Sequence, residues 1–247
     1  MTTVQERVHA LKVTLANAAA QPGNPDPVLR ALASFDDWLA PATVATAAMQ
    51  TNEFDRAVTL GLRNELVPNV LALFTDDTAA HTAAKARDLG AYVAPVEGAR
   101  LLAGIPPHVT TLLVNPGGPQ PHSYSVDGAG IGYIRAWGRA ISFERALVVG
   151  GASLPSAIAA FTGFFLLVQR DGTAAAQQDA QGVRRAMVWS APDGVDQARA
   201  QLGAAAHGLH EVTLNGRELL SLLPTWGLSG VAFNPMGPGP RRTVDGL

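Results

Sequence analysis

Few residues in this chain have the type and spacing to do chemistry. Ser153 follows Gly150-Gly151 and is the nearest candidate nucleophile. No Gly-x-Ser-x-Gly elbow surrounds it, and Ser153 followed by Pro155 reads as a helix start. His207, His210 and Glu211 carry metal-ligand atoms at helical spacing, but Gly208 ends a helix there and no second cluster completes a zinc set. His207 near a helix C-terminus is favoured by the dipole alone. Asp36-Asp37 and Asp76-Asp77 are adjacent carboxylates, which point apart on a strand and make no acid–base pair. Gly128-Ala-Gly130-Ile-Gly132 suggests a dinucleotide loop, but Tyr133 stands where the third glycine belongs and the preceding His122–Asp127 stretch is polar. With no cysteine, thiolate chemistry and disulfides are excluded. No catalytic residue, cofactor or metal site is assigned.

The remaining candidates are turns. Asn115-Pro-Gly-Gly-Pro and Asn234-Pro-Met-Gly-Pro each follow an apolar run. Exposed backbone N–H groups at Gly117 and Gly118 would hold an anion or a peptide. The competing reading is a tight turn, with proline fixing φ and glycine supplying φ > 0. Asn115, Gly117, Gly118, Asn234 and Gly237 are therefore the candidate binding residues.

Those turns belong to a repeat, and the repeat sets the architecture. Gly98, Leu101, Leu102 and Pro106 fall on Gly216, Leu219, Leu220 and Pro224. After one extra residue, Asn115-Pro116-x-Gly118-Pro119 falls on Asn234-Pro235-x-Gly237-Pro238. The expected fold is α/β (α+β), with two tandem pseudo-symmetric modules of order β-β-β-α-β-α-β after an N-terminal helical arm. The expected boundaries are an arm at 1–35, a first module at 36–122, a linker at 123–143 and a second module at 144–247.

In the arm, Thr3 and Glu6 have capping-box spacing, and Val4, Val8, Leu11 and Leu15 form one stripe of a helix over 3–20. Gln21–Pro25 breaks it. Asp26-Pro27 opens a short helix with Val28, Leu29, Leu32 and Phe35 inward. Such an arm packs on the first module or serves as a partner or dimer helix.

The first module reads as strands over 38–44, 57–63 and 70–75, a helix from Asp76, Asp77 or Thr78 to Leu89 with Gly90 beyond it, a strand over 91–96, a helix over 99–104 and a strand over 110–114. Asn64–Asn69 is a turn. The second module reads as strands over 145–149, 164–169 and 183–190, a helix over 195–206, a strand over 211–214, a helix over 217–223 and a strand over 228–233. Pro119–Gly132 reads as linker. Ile134–Phe143 is ambiguous because Gly138 weakens a helix.

Leu73-Phe74-Thr75-Asp76, Gly98-Ala99-Arg100-Leu101-Leu102 and Leu113-Val114-Asn115-Pro116-Gly117-Gly118-Pro119 resemble the SseB-like family, named for enhanced serine sensitivity in bacteria. Val188-Trp189-Ser190, Gly216-Arg217-Glu218-Leu219-Leu220 and Phe233–Pro238 are weaker counterparts. The resemblance spans about 36–122 and 144–243. It implies a bacterial α/β module with no established enzymatic activity and no catalytic residues to transfer.

Composition agrees with a folded chain: 47% hydrophobic and 15% charged, with net charge −2. Lys12 and Lys85 are the only lysines, so no basic stripe exists for nucleic acid. The first residues lack the basic and apolar regions of a secretory signal, and the apolar stretch 157–168 is too short to span a bilayer. The expectation is a cytoplasmic, non-catalytic recognition or accessory protein with a protein partner or self-association and no membrane insertion. The alternatives are a small-molecule sensor or enzyme with a site between modules, and an oligomerising structural subunit.

Overall fold

The computed structural model describes residues 2–20, 23–42, 69–86, 92–118 and 121–247. The chain divides into two compact units, Met1–Arg139 and Ala140–Leu247. Helices stand with mixed and antiparallel sheets, so the fold is α+β.

In the first unit, α1 (Val4–Ala20) opens with the capping box. Glu6 accepts the Thr3 N–H at 2.6 Å, and Thr3 Oγ1 accepts the Glu6 N–H at 3.2 Å. Two orphan donors are thereby satisfied. Leu11 and Leu15 are buried, whereas Val4 is exposed. α2 (Asp26–Ser34) buries Val28, Leu29 and Leu32. Then β1 (Trp38–Ala42) pairs antiparallel with β3 (Tyr92–Val96), and β2 (Val70–Leu73) pairs parallel with β4 (Thr111–Val114). An antiparallel bridge between Leu39 and Phe74 links β1 to the end of β2. β5 (Tyr124–Asp127) adds antiparallel to β4. Between these strands lie α3 (Asp77–Ala86) and α4 (Gly98–Ala103). α3 packs on the strands through Ala80, which clusters with Ala72 and Phe74. α4 is fixed by a close approach. The Gly98 N–H donates to Phe35 O at 2.9 Å, and a Cβ on Gly98 would meet Leu32 O at 2.6 Å. Trp38 Nε1 donates to the same Leu32 carbonyl at 3.1 Å.

The division between units falls within α5 (Ala129–Val149). In the second unit α6 (Leu154–Ala160) precedes β6 (Phe164–Val168). β6 pairs antiparallel with β8 (Arg184–Trp189) and with β9 (His210–Leu214). β10 (Gly230–Phe233) lies parallel to β8, and β11 (Arg242–Asp245) runs antiparallel to β10. The path is β11-β10-β8-β6-β9, and β7 (Ala176–Gln178) pairs with β8 off that path. Two separate clusters bury the two faces of β6, as alternation of side chains requires. Phe164, Leu166 and Phe233 pack with Phe143, Leu147, Ile158 and Leu219. Leu167, Met187 and Trp189 pack with Val195 and Ala198 of α7 (Pro192–Leu202). α8 (Gly216–Leu222) starts with a capping box between Asn215 and Glu218. The Gly216 N–H donates to Phe161 O at 2.7 Å.

Several sequence expectations need correction. Residues 145–149 are helical, not a strand: Phe143 and Leu147 are buried one turn apart while Val148 and Val149 are exposed. The ambiguous 134–143 segment belongs to the same helix. Gly138 sits in it because its missing Cβ lets the helix approach the Ala99 carbonyl and the Ala103 N–H. The linker placed at 123–143 holds β5 and much of α5, since a polar strand pairs through its backbone alone. The second-unit helix starts at Pro192 and ends at Leu202, and Gly203–Ala206 is a short 3-10 turn. The strand read at 57–63, most of the turn at 64–69, the chain break at Gln21-Pro22 and the C′ glycine Gly90 lie outside the described residues.

Candidate functional site

β2 and β4 are parallel, with Leu73 opposite Val114, so both chains leave the sheet at the same edge. The carboxyl edge of parallel strands is where open α/β sheets offer a crevice. Asn115 ties the two departing chains together. Its N–H donates to Leu73 O at 2.8 Å. Its Oδ1 accepts the Thr75 N–H at 2.9 Å and the Thr75 hydroxyl at 3.1 Å. Its Nδ2 donates to His122 O at 3.2 Å. To do this Asn115 takes φ +48°, a left-handed conformation that asparagine tolerates better than most residues.

Next to this clamp lies a pocket of about 230 Å³. Phe74, Ala79 and Pro116 line its apolar wall; Lys12, Asp76 and His122 bring its ionisable groups. Asp76 is engaged, because its Oδ1 accepts the Ala79 N–H at 2.8 Å and so caps α3. The Lys12 ammonium makes no hydrogen bond or ion pair among the described residues. Gly118 lines the pocket, but its N–H is spent on Asn115 O at 3.0 Å. Gly117 supplies φ +76° for the turn.

The second unit has a clamp of the same kind. Asn234 takes φ +47°, and its N–H donates to Val188 O at 2.7 Å. Its Oδ1 accepts the Ser190 N–H at 3.0 Å, and its Nδ2 donates to Pro240 O at 3.2 Å. Here a side chain fills the adjacent space. The Ser190 hydroxyl donates to Glu144 Oε1 at 2.9 Å, and Glu144 is 6% exposed. Asn234 Nδ2 also reaches Ser190 Oγ at 3.2 Å, so the hydroxyl accepts one bond while it donates another. Gly237, at φ +100°, packs against Gly194 of α7. Trp189 Nε1 donates to Met236 O at 2.9 Å across the same turn.

The other sequence candidates stand apart from both clamps. Ser153 is the N-cap position of α6 and makes no side-chain cap bond. Gly128 to Gly132 lead into α5, with Gly128 at φ +51°. Asp37 forms an ion pair with Arg7 at 2.6 Å. His207 follows the 3-10 turn and His210 opens β9, with Gly208 between them at φ +85°. Among the described residues no group of three or more metal-ligand side chains converges. Among them, no helix is long and apolar enough to cross a membrane.

Lys12, Thr75, Glu144 and Ser190 were not among the candidate site residues, although Thr75 and Ser190 stand in the matched motifs of the two copies. A signal for Lys12 existed: it lies between Leu11 and Leu15, at the border of the buried stripe. Comparison with protein-family models, curated proteins and solved structures finds no match to this chain.

Proposed function

We propose that this is a non-catalytic recognition or accessory protein of the SseB-like type, built from two copies of one module. In this reading it holds a group of its partner or ligand at the carboxyl edge of β2 and β4. The pocket beside Asn115 carries the proposal. It offers an apolar wall and an ammonium without a counter-ion among the described residues, the pattern of a binding site. Two of its other polar groups are committed: Asp76 caps α3, and the Asn115 amide binds the Thr75 N–H and hydroxyl and the His122 carbonyl. Catalysis would need a nucleophile or base held by an orienting group.

The duplication is supported by matched bonding. β1, β2, β4 and β5 pair as β6, β8, β10 and β11 do, and the β3–β1 pair answers the β9–β6 pair. Gly98 to Phe35 answers Gly216 to Phe161, each at the first residue of a short helix. On this reading the repeated unit includes the helix before its first strand. α2 is then part of the first copy rather than an arm outside it.

The test is capture of binding partners from the native host by the full chain and by Ala79→Trp. Ala79 is exposed and lines the pocket, so a tryptophan there fills the space without entering the core. A discrete partner or metabolite that is retained by the wild type and lost by a normally folded Ala79→Trp supports the reading. Equal capture by both proteins overturns it.

A further inference from the structure

We infer that the pocket beside Asn115 takes a carboxylate group, carried by a small organic acid or by a peptide. The inference rests on that pocket being the recognition site, and on the second unit showing what the same clamp does with an acid. There Glu144 supplies the carboxylate from within the chain. Its Oε1 accepts the Ser190 hydroxyl at 2.9 Å, beside the amide of Asn234. The loop backbone closes over it, for a Cβ on Gly239 would lie 2.8 Å from Glu144 Oε1 and 3.0 Å from Asn234 Nδ2.

The first unit has the clamp without the acid. Thr75 meets Asn115 through the bonds that Ser190 makes with Asn234: N–H to Oδ1 at 2.9 and 3.0 Å. The Thr75 hydroxyl lies 3.1 Å from Asn115 Oδ1, as the Ser190 hydroxyl lies 3.2 Å from Asn234 Oδ1, but no carboxylate within the chain meets it among the described residues, and Thr75 is partly exposed. A hydroxyl rotates freely enough to serve an incoming carboxylate. The helix that should bring a side chain to this place is α1. It presents Lys12 between buried Leu11 and Leu15, with the spacing by which α5 presents Glu144 between buried Phe143 and Leu147. An acid in one copy is thus a base in the other. The exchange leaves a pocket of about 230 Å³ where the second unit has its own carboxylate.

Charge and size define the ligand. Lys12 attracts an anion, and a charge-assisted bond to a carboxylate is stronger than a neutral one. The nearby Asp76 carboxylate opposes a second negative charge, which disfavours a phosphate dianion. At ~30 Å³ per water the pocket holds the equivalent of about eight waters, room for a carboxylate with a short apolar tail against Phe74 and Pro116.

The experiment is an amide NMR titration of the full chain, following Thr75, Asn115 and Gly118. The probes are butyrate, butyramide, inorganic phosphate, and a short apolar peptide with either a free or an amidated C-terminus. Saturable shifts with butyrate or the free-acid peptide, and not with butyramide, phosphate or the amidated peptide, are the expected result. Butyrate alone points to a small acid; the free-acid peptide alone, or binding at least about tenfold tighter than butyrate, points to a chain terminus. Lys12→Glu copies the second unit and should weaken binding by about tenfold or more while the fold is kept. Lys12→Gln, which adds no charge, should weaken it less. Absence of shifts with both acids, equal shifts with butyramide or phosphate, or undiminished binding by Lys12→Glu overturns the inference. Loss of a captured partner in Ala79→Trp with no carboxylate response would leave the recognition reading standing and sink this one. Carboxylate binding with partner capture unchanged in Ala79→Trp would do the reverse.

Discussion

Asn234 Oδ1 accepts the backbone N–H of Ser190 at 3.0 Å, and both residues are about 1% exposed. The bond joins the residues that follow two parallel strands, β8 and β10. Replacement of Asn234 by alanine leaves a buried N–H without a partner, at a cost of about 1–3 kcal/mol. It also places a Cβ-bearing residue without a stabilising side chain at φ +47°. Asn234→Ala should therefore lower stability by about 2–3 kcal/mol in urea unfolding. Asn115→Ala should cost less, about 1–2 kcal/mol: the backbone cost at φ +48° is the same, but Thr75 is partly exposed and water replaces the lost amide. Asn234→Gly should recover about 1 kcal/mol of the alanine loss by relieving the backbone. Equal costs at Asn115 and Asn234 would contradict this account.

Gly98 and Gly216 are fixed by contact rather than by φ. A Cβ on Gly98 would lie 2.5 Å from Phe35 O, and one on Gly216 would collide with Ile158 O. Both opposing atoms are backbone and cannot swing aside. Gly98→Ala and Gly216→Ala should each destabilise by about 1–3 kcal/mol or more. Gly132 is the control: it lies in α5, and a Cβ added there would meet nothing within 4 Å. Gly132→Ala should raise stability by about 0.5–1 kcal/mol through helix propensity. The three variants compared by thermal melting separate close approach from backbone entropy.

Much of the local structure was legible because it depends on neighbours in sequence. Thr3 with Glu6 gave the start of α1, and Val28, Leu29, Leu32 and Phe35 gave the buried face of α2. The two asparagine turns were visible as motifs, but their partners were not. Thr75 lies 40 residues from Asn115, and Ser190 lies 44 from Asn234. β5 and β11 were missed because edge strands with polar side chains pair through backbone groups, which leave no apolar pattern. Residues 145–149 misled because β-branched Val148 and Val149 favour strands, whereas burial of Phe143 and Leu147 decides for helix. The pocket was hidden for a similar reason: Lys12 reaches it from a helix far from the turn in sequence.

Arg185 links β8 to acids on two other segments. It bonds Asp179 at 2.7 Å and Asp245 at 2.6 Å. Its guanidinium hydrogen bonds hold both carboxyls below the usual aspartate range. A depressed folded pKa gives stabilisation that is complete above the unfolded value of about 3.9 and is lost as pH falls through the folded value. Arg185→Gln should therefore destabilise at neutral pH and show a shallower loss of stability below about pH 4. Urea midpoints of both proteins between neutral and acid pH check this. A variant whose acid slope matches the wild type would show that the carboxylates owe nothing to Arg185.

Trp38, Trp137 and Trp189 are equally buried, at 0% exposure, but differ at the indole nitrogen. Trp38 Nε1 donates to Leu32 O at 3.1 Å and Trp189 Nε1 to Met236 O at 2.9 Å. Trp137 Nε1 meets no hydrogen-bond partner among the described residues. Each tryptophan-to-phenylalanine change removes similar volume and leaves a similar void. At Trp38 and Trp189 it also breaks a bond and strands a carbonyl; at Trp137 it removes a donor that was costing stability. A partial offset comes from Arg30, whose guanidinium carbon lies 5.0 Å from the Trp137 ring centroid and interacts less with phenylalanine. Trp137→Phe should therefore be milder than either Trp38→Phe or Trp189→Phe by about 1 kcal/mol. Denaturant unfolding of the three single variants measures the difference. A Trp137→Phe loss as large as the others would mean that its indole N–H is satisfied in solution, by a buried water.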